Sequence, residues 1–155
     1  MPRGPNEPPL IRARHDLTPG EIDGLEQRLY EFNVARTGDA DGAALAFFAE
    51  AGGELIGAVA GYTWGGFCEL RQVWVDEAHR GRGLGRELMQ AALAEAEARG
   101  CAQVFLTTFD FQAPDFYRGL GFEEAARIPD KPRGHTELIM RLRLGADRPS
   151  RRSHA

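Results

Sequence analysis

The chain has 155 residues, of which 43% are hydrophobic, and 19 basic side chains stand against 23 acidic ones for a formal net charge of −4. That length suffices to bury roughly two thirds of the unfolded surface in a core of its own, and the acidic balance argues against a nucleic-acid partner, which calls for a basic excess on one face. No apolar run reaches the roughly 18 to 20 residues a membrane span needs, and residues 1–9 are too polar and proline-rich for a secretory signal, so a cytoplasmic protein without a membrane partner is expected.

Residues 1–9 read as a leader without regular structure, and the weak alternation of residues 10–14 predicts a first strand. Thr18 and Pro19 then start a helix, with Glu21 three residues after Thr18 completing a capping box. Ile22, Leu25, Leu29 and Phe32 follow at spacings of 3, 4 and 3, one apolar stripe on that helix. Residues 44–49 and 55–63 predict two strands joined through Gly52-Gly53, and after Gly65-Gly66 residues 67–75 predict a third. In residues 84–99 Leu84, Leu88, Ala92 and Ala96 recur every fourth position, a helix that Gly100 ends. Residues 102–107 predict a buried strand, 114–120 a short helix opened by Pro114, and 122–128 and 137–144 a last pair of strands. Residues 145–155 read as a tail, so the folded domain is expected over 10–144. The element order predicts a mixed α/β (α+β) domain whose centre, residues 67–107, is a strand-helix-strand unit with a right-handed parallel crossover.

Composition removes several mechanisms. The only serines are Ser150 and Ser153, both in the tail, and the only lysine, Lys131, precedes Pro132. A serine nucleophile on a packed scaffold and a phosphate loop built on Lys-Ser or Lys-Thr are thereby disfavoured. His15, His79, His135 and His154 lie far apart, no Cys/His spacing matches a zinc site, and no metal is expected. Cys68 and Cys101 sit in apolar stretches and read as reduced core thiols.

One segment carries positive chemistry. After Val75 comes Arg80-Gly81-Arg82-Gly83-Leu84-Gly85-Arg86, opening the long helix. Alternate glycines keep side chains away, so backbone N–H groups can converge on one anion where the helix dipole adds positive potential. Arg80, Arg82 and Arg86 surround the seat with charge, which suits a polyphosphate. The dinucleotide pattern G-x-G-x-x-G is not met, because Arg86 stands at the third glycine.

Arg80-x-x-Gly83-x-Gly85 after a strand resembles the acetyl-CoA motif Q/R-x-x-G-x-G/A of the GCN5-related N-acetyltransferases (GNAT), and Phe116-Tyr117 through Gly121-Phe122 resembles that family's F-Y-x-x-x-G-F. Residues 108–117 with Pro132-Arg133-Gly134-His135 are similar to small prokaryotic members. The resemblance covers about residues 10–144. It implies a mixed central sheet of about six or seven strands, splayed to hold acetyl-CoA, and direct acetyl transfer to a small or peptidic primary amine with no covalent acyl-enzyme. An alternative is a catalytically silent acyl-CoA-binding sensor or partner domain. The implied cofactor residues are Val73, Trp74, Val75, Arg80, Gly81, Arg82, Gly83, Leu84, Gly85, Arg86, Asp110, Phe116 and Tyr117; many members carry Asn at the place of Asp110. Dimerisation through the terminal strands also fits the family.

An alkyl amine with pKa near 10.4 is only about one part in 2,500 neutral at pH 7, so a base must take its proton. Glu69, six residues before Val75, is the first candidate and Asp110 the second; pairing of Glu69 with Arg71 on a solvated face is the competing reading. By period 2, Glu69, Arg71, Val73 and Val75 are predicted to share one face of their strand. Tyr117 is the candidate acid for the departing thiolate. Trp64, Phe67 and Trp74 could wall an acceptor pocket, with two of the three expected in the core. His135 reads as an ordinary loop histidine, and Gln112 either caps the short helix or meets the cofactor.

Overall fold

The computed structural model describes residues 4 and 8–145 and divides into two compact units, Met1–Gly38 and Asp39–Ala155. The expected leader and tail, with Ser150, Ser153 and His154, lie mostly outside the described residues. In the first unit, α1 (Pro19–Thr37) begins with the expected capping box: Thr18 N–H donates to Glu21 Oε2 at 2.9 Å and Glu21 N–H to Thr18 Oγ1 at 3.3 Å. The strand expected at residues 10–14 does not form. These residues are exposed and pair with no other strand, and a short, weakly alternating segment has no ladder of its own to gain. The stripe of Ile22, Leu25, Leu29 and Phe32 falls within this helix, and local pairs such as Arg14 with Glu21 at 2.9 Å add to its cap.

The second unit is built on a six-stranded mixed sheet. Its strands are β1 (Ala43–Ala51), β2 (Glu54–Trp64), β3 (Phe67–Val75), β4 (Gln103–Phe109), β5 (Glu123–Pro129) and β6 (Thr136–Arg143), in spatial order β1-β2-β3-β4-β6-β5. Between β3 and β4 run a short 3-10 turn, Glu77–His79, and α2 (Leu84–Ala98); α3 (Pro114–Gly119) follows β4. Only β3 and β4 are parallel, as the strand-helix-strand reading requires. Alternation along β4 and β6 buries Val104, Leu106 and Thr108 on one and Leu138, Met140 and Leu142 on the other. The inward face of α2, Leu88, Met89, Ala92 and Ala96, completes the core with Leu45, Val59, Cys68 and Leu70. Arg99 ties the end of α2 to the first two strands, donating to the Ala44 carbonyl at 2.9 Å and to buried Thr63 Oγ1 at 3.1 Å.

One detail of β3 departs from the period-2 expectation. Ala60 stands opposite Gln72 and Gly61 opposite Leu70, so Arg71 is an extra residue, a β-bulge. The bulge shifts the alternation by one: Cys68 and Leu70 are buried before it, and Val73 and Val75 pack toward the core after it. Glu69 and Arg71 therefore do not share a face with Val73 and Val75. Gly61 permits this, because a Cβ there would collide with the Glu69 carbonyl.

Candidate active site

β3 and β4 are in register only from Phe67 opposite Gln103 to Leu70 opposite Leu106. Beyond that point β3 runs to Val75 bonded only to β2, and β4 runs to Phe109 bonded only to β6. The facing edges thus hold backbone N–H and C=O groups with no ladder partner, groups that demand satisfaction elsewhere. A cleft of about 860 Å³ opens between them. β3 contributes Leu70, Val73, Trp74 and Val75, β4 contributes Leu106, Thr107 and Thr108, and α3 contributes Phe116 and Tyr117. Along one side run Arg80, Gly81, Gly83, Leu84, Gly85 and Arg86.

The glycine segment is shaped as its sequence suggests. Gly83 is the N-cap of α2 with φ of 83°, a conformation that a β-branched residue resists, and no side chain caps the helix. The first intrahelical bond runs from Glu87 N–H to the Gly83 carbonyl at 3.0 Å, so the amides of Leu84, Gly85 and Arg86 have no acceptor within the helix. Gly85 lies against Val75 and the Phe116 ring, which brings β3, α2 and α3 together at one point. Arg80 folds back, its Nε donating to the Val75 carbonyl at 3.0 Å. Next to it, Asp76 Oδ2 pairs with His79 Nδ1 at 2.9 Å, a contact that holds the Asp76 carboxyl below its usual range. Of the residues the resemblance assigns to the cofactor, Arg82 and Asp110 do not line this cleft and the others do.

Tyr117 is 8% exposed, with its ring edge-on to Phe116 at 5.1 Å and to Phe122 at 5.9 Å between centroids. Its hydroxyl has no hydrogen-bond partner among the described residues, and burial raises its pKa, which keeps the phenol protonated through the neutral range.

Glu69 does not line the cleft. It sits opposite Tyr62, with Oε2 3.8 Å from Arg71 Nε and its side chain 26% exposed, while the Arg71 guanidinium lies 4.8 Å over the Tyr62 ring. Burial first, then the hydrogen bond to Glu69, push the Tyr62 phenol up to about 12. Trp64, Phe67 and Phe105 extend this cluster, with Phe67 5.7 Å from each of the other two rings. Trp64 donates to the Asp39 carbonyl at 2.7 Å, whereas Trp74 is 44% exposed in the cleft wall. Two of the three aromatic residues flagged in the sequence are thus in packing clusters and one faces the cleft.

Thr107 and Thr108, which the sequence did not single out as site residues, line the cleft, as does Gln112. Gln112 caps the end of β4 rather than α3: its Oε1 accepts from Phe109 N–H at 2.9 Å and from Thr108 Oγ1 at 3.3 Å. Cys68 and Cys101 are both buried and free, and burial lifts the Cys68 thiol to about 11 and raises Cys101 as well, so both are held as thiols. Among the described residues no group of three His, Cys, Asp or Glu is placed to hold a metal, and no helix is long and apolar enough to cross a membrane.

Both the sequence and the fold of this chain have known counterparts. Residues 11–122 match the Acetyltransferase (GNAT) family. Blasticidin-S acetyltransferase of Streptomyces morookaense is 43% identical over 91 residues, 57% of this chain and 65% of that protein, so the match spans just under two thirds of its length. The crystal structure of an acetyltransferase from Bacillus cereus superposes with a TM-score of 0.71 at 25% identity, covering 86% of this chain and 98% of the other. A Bacillus anthracis structure solved in complex with acetyl coenzyme A shares the fold at a TM-score of 0.58 and 18% identity, over 65% of this chain and 62% of that one. Two motifs in order, a parallel pair opened between them and a family match over most of the residues lead to one conclusion: this chain belongs to the GNAT acetyltransferase family.

Proposed function

We propose that this chain moves an acetyl group from acetyl-CoA to a small primary amine, the amine attacking directly while both are bound. The observation that carries the reading is the opening of β3 from β4, with the partnerless Tyr117 hydroxyl in its wall and the uncapped start of α2 at its side. Acetyl-CoA supplies the acetyl group as a thioester. The amides of Leu84, Gly85 and Arg86, with the positive end of α2, suit its pyrophosphate. The free edges of β3 and β4 suit the amides of its pantetheine arm, which would add to the sheet like a short strand. Arg80 and Arg86, both in the cleft wall, bring the positive charge that a pyrophosphate calls for, with Arg82 next to them in sequence.

The Tyr117 hydroxyl holds a proton for the departing sulfur, and its raised pKa keeps that proton in place until a stronger base appears. The amine must lose a proton of its own before it can attack. Two carboxylates are candidates for that step, Glu69 and Asp110, and they keep different company: Glu69 faces Arg71 and Tyr62, while Asp110 has a histidine in front of it. Two of the curated relatives are acetyltransferases of antibiotics, blasticidin S and streptothricin, which supports a compact polar amine as the acceptor. The cytoplasm is the compartment where such a donor is at hand.

Thiol release from acetyl-CoA, followed across a panel of amines that includes nucleoside and aminoglycoside antibiotics, polyamines and amino acids, tests the reading. Release that depends on one class of amine supports it. Tight CoA binding by calorimetry with no amine-dependent release would instead support the silent binding module.

A further inference from the structure

The connection between β4 and α3 meets the β5–β6 hairpin in a group that the proposed reaction has not yet used. Asp110, the residue after β4, has Oδ1 3.0 Å from His135 Nδ1, and its Oδ2 accepts from Thr136 N–H at 2.9 Å. Its own N–H donates to the Thr136 carbonyl at 2.9 Å, so both ends of the contact are fixed by backbone. With both carboxylate oxygens acting as acceptors, Nδ1 must be the donor. The neutral imidazole then carries its proton on Nδ1 and presents its lone pair at Nε2. Nε2 has no hydrogen-bond partner among the described residues, and the His135 side chain is 48% exposed. Phe111 meets the imidazole edge-on at 4.8 Å between centroids and itself lines the cleft, so His135 stands one ring away from that space.

We propose that His135 Nε2 takes the proton of the incoming amine and that Asp110 is its positioning residue, an assignment that rests on the acetyl-transfer reading above. The ammonium gives one proton to Nε2, and the freed nitrogen lone pair attacks the acetyl carbon. The C–N bond forms, the C–S bond breaks with its electron pair on sulfur, and sulfur takes the Tyr117 proton. The nitrogen sheds its second proton, which restores the Tyr117 hydroxyl, and the imidazolium returns the first to water. One proton is thus released per acetyl group transferred.

The charges around His135 agree with this role. Asp110, just after β4, is the charged group facing the ring from that side. Within the hairpin Lys131 is paired with Glu137 at 3.1 Å, Asp130 accepts from Gly134 N–H at 3.3 Å, and Arg133 lies two residues away. Glu69 pairs with Phe105 on β4, five residues short of Asp110, or about 16 Å at strand rise. One ammonium cannot rest on both.

The test is the pH dependence of kcat/KM for thiol release in the wild type and in His135→Gln, Asp110→Asn and Glu69→Gln, using the best amine of the panel. His135→Gln is expected to lower kcat/KM about 10²-fold at neutral pH and to remove the acid limb that a basic imidazole imposes, the gap closing as rising pH supplies free amine. Asp110→Asn is expected to cost less and to move that limb to lower pH, because the carboxylate that favours the imidazolium is gone. CoA affinity by calorimetry should be unchanged in all three, a result that a merely structural His135 would not produce alongside the altered pH profile. An acid limb that survives His135→Gln, or that disappears in Glu69→Gln instead, overturns the proposal. So does ¹⁵N NMR of the folded wild type showing the neutral ring protonated at Nε2. Failure of every amine to release thiol overturns the acetyl-transfer reading and this assignment with it.

Discussion

The lower and upper halves of the β3–β4 pair use the same two strands for opposite purposes. From Phe67 to Leu70, β3 is bonded on both edges, and Cys68 and Leu70 are almost fully buried. From Arg71 to Val75 it keeps only β2, and the other edge opens on the cleft. The boundary falls at Arg71, where the bulge re-aims the side chains. A bulge of this kind is the usual device for ending a pairing and turning a strand beside a site. Buried packing is therefore concentrated below the bulge and the proposed chemistry above it, which makes the two halves separable by mutation.

The largest effect is expected from the closed half. Leu142 stands opposite Val104 and is 5% exposed, so Leu142→Ala should cost about 2 to 5 kcal/mol in urea unfolding while leaving acetyl-CoA affinity of the folded protein unchanged. Comparable loss of affinity at a temperature where the variant is folded would show that the halves are not independent. In the open half, Tyr117→Phe removes only a hydroxyl that no protein group holds. Turnover should fall about 10²-fold with folding and CoA affinity spared, and unchanged turnover under chemistry-limited conditions would take Tyr117 out of the reaction. Gly83→Val imposes a β-branched side chain on a residue with φ of 83°. Calorimetry should show acetyl-CoA binding weakened by about tenfold or more, and wild-type binding by the folded variant would put the pyrophosphate elsewhere.

The smallest expected effect concerns Tyr62, opposite Glu69 just below the bulge. Its phenol titrates at about 12 when folded against an ordinary value of 10.0. In that interval the unfolded chain has released the proton and the folded one has kept it, so the stability is full below pH 10 and falls as pH rises toward 12. Tyr117, also raised by burial, adds to the fall with the same sign. Unfolding free energies measured from pH 9 to 12 should decline less steeply in Tyr62→Phe than in the wild type.

Much of the site was legible because its signals are local. A glycine run that opens a helix, or a phenylalanine-tyrosine pair four residues before a glycine, constrains backbone and neighbours within one or two turns, and those constraints do not need the rest of the chain. The bulge at Arg71 was not legible, because it depends on Gly61 across the ladder admitting the Glu69 carbonyl. Period 2 therefore grouped Glu69 with the wrong face. The Asp110–His135 pair was equally hidden: the residues are 25 positions apart and meet only when β6 closes beside β4.

Sequence by itself determined the order and bounds of nearly every element, the capping box of α1, the core face of α2 and the anion-shaped loop before it, since each follows from the spacing of apolar, glycine and capping residues along a few turns of chain. Tertiary structure alone decided that residues 10–14 form no strand, where β3 parts from β4, which side of the bulge each residue of β3 faces, and which carboxylate holds a histidine. Those outcomes turn on pairing between distant segments, and a backbone edge is satisfied or left open only once its partner strand has arrived.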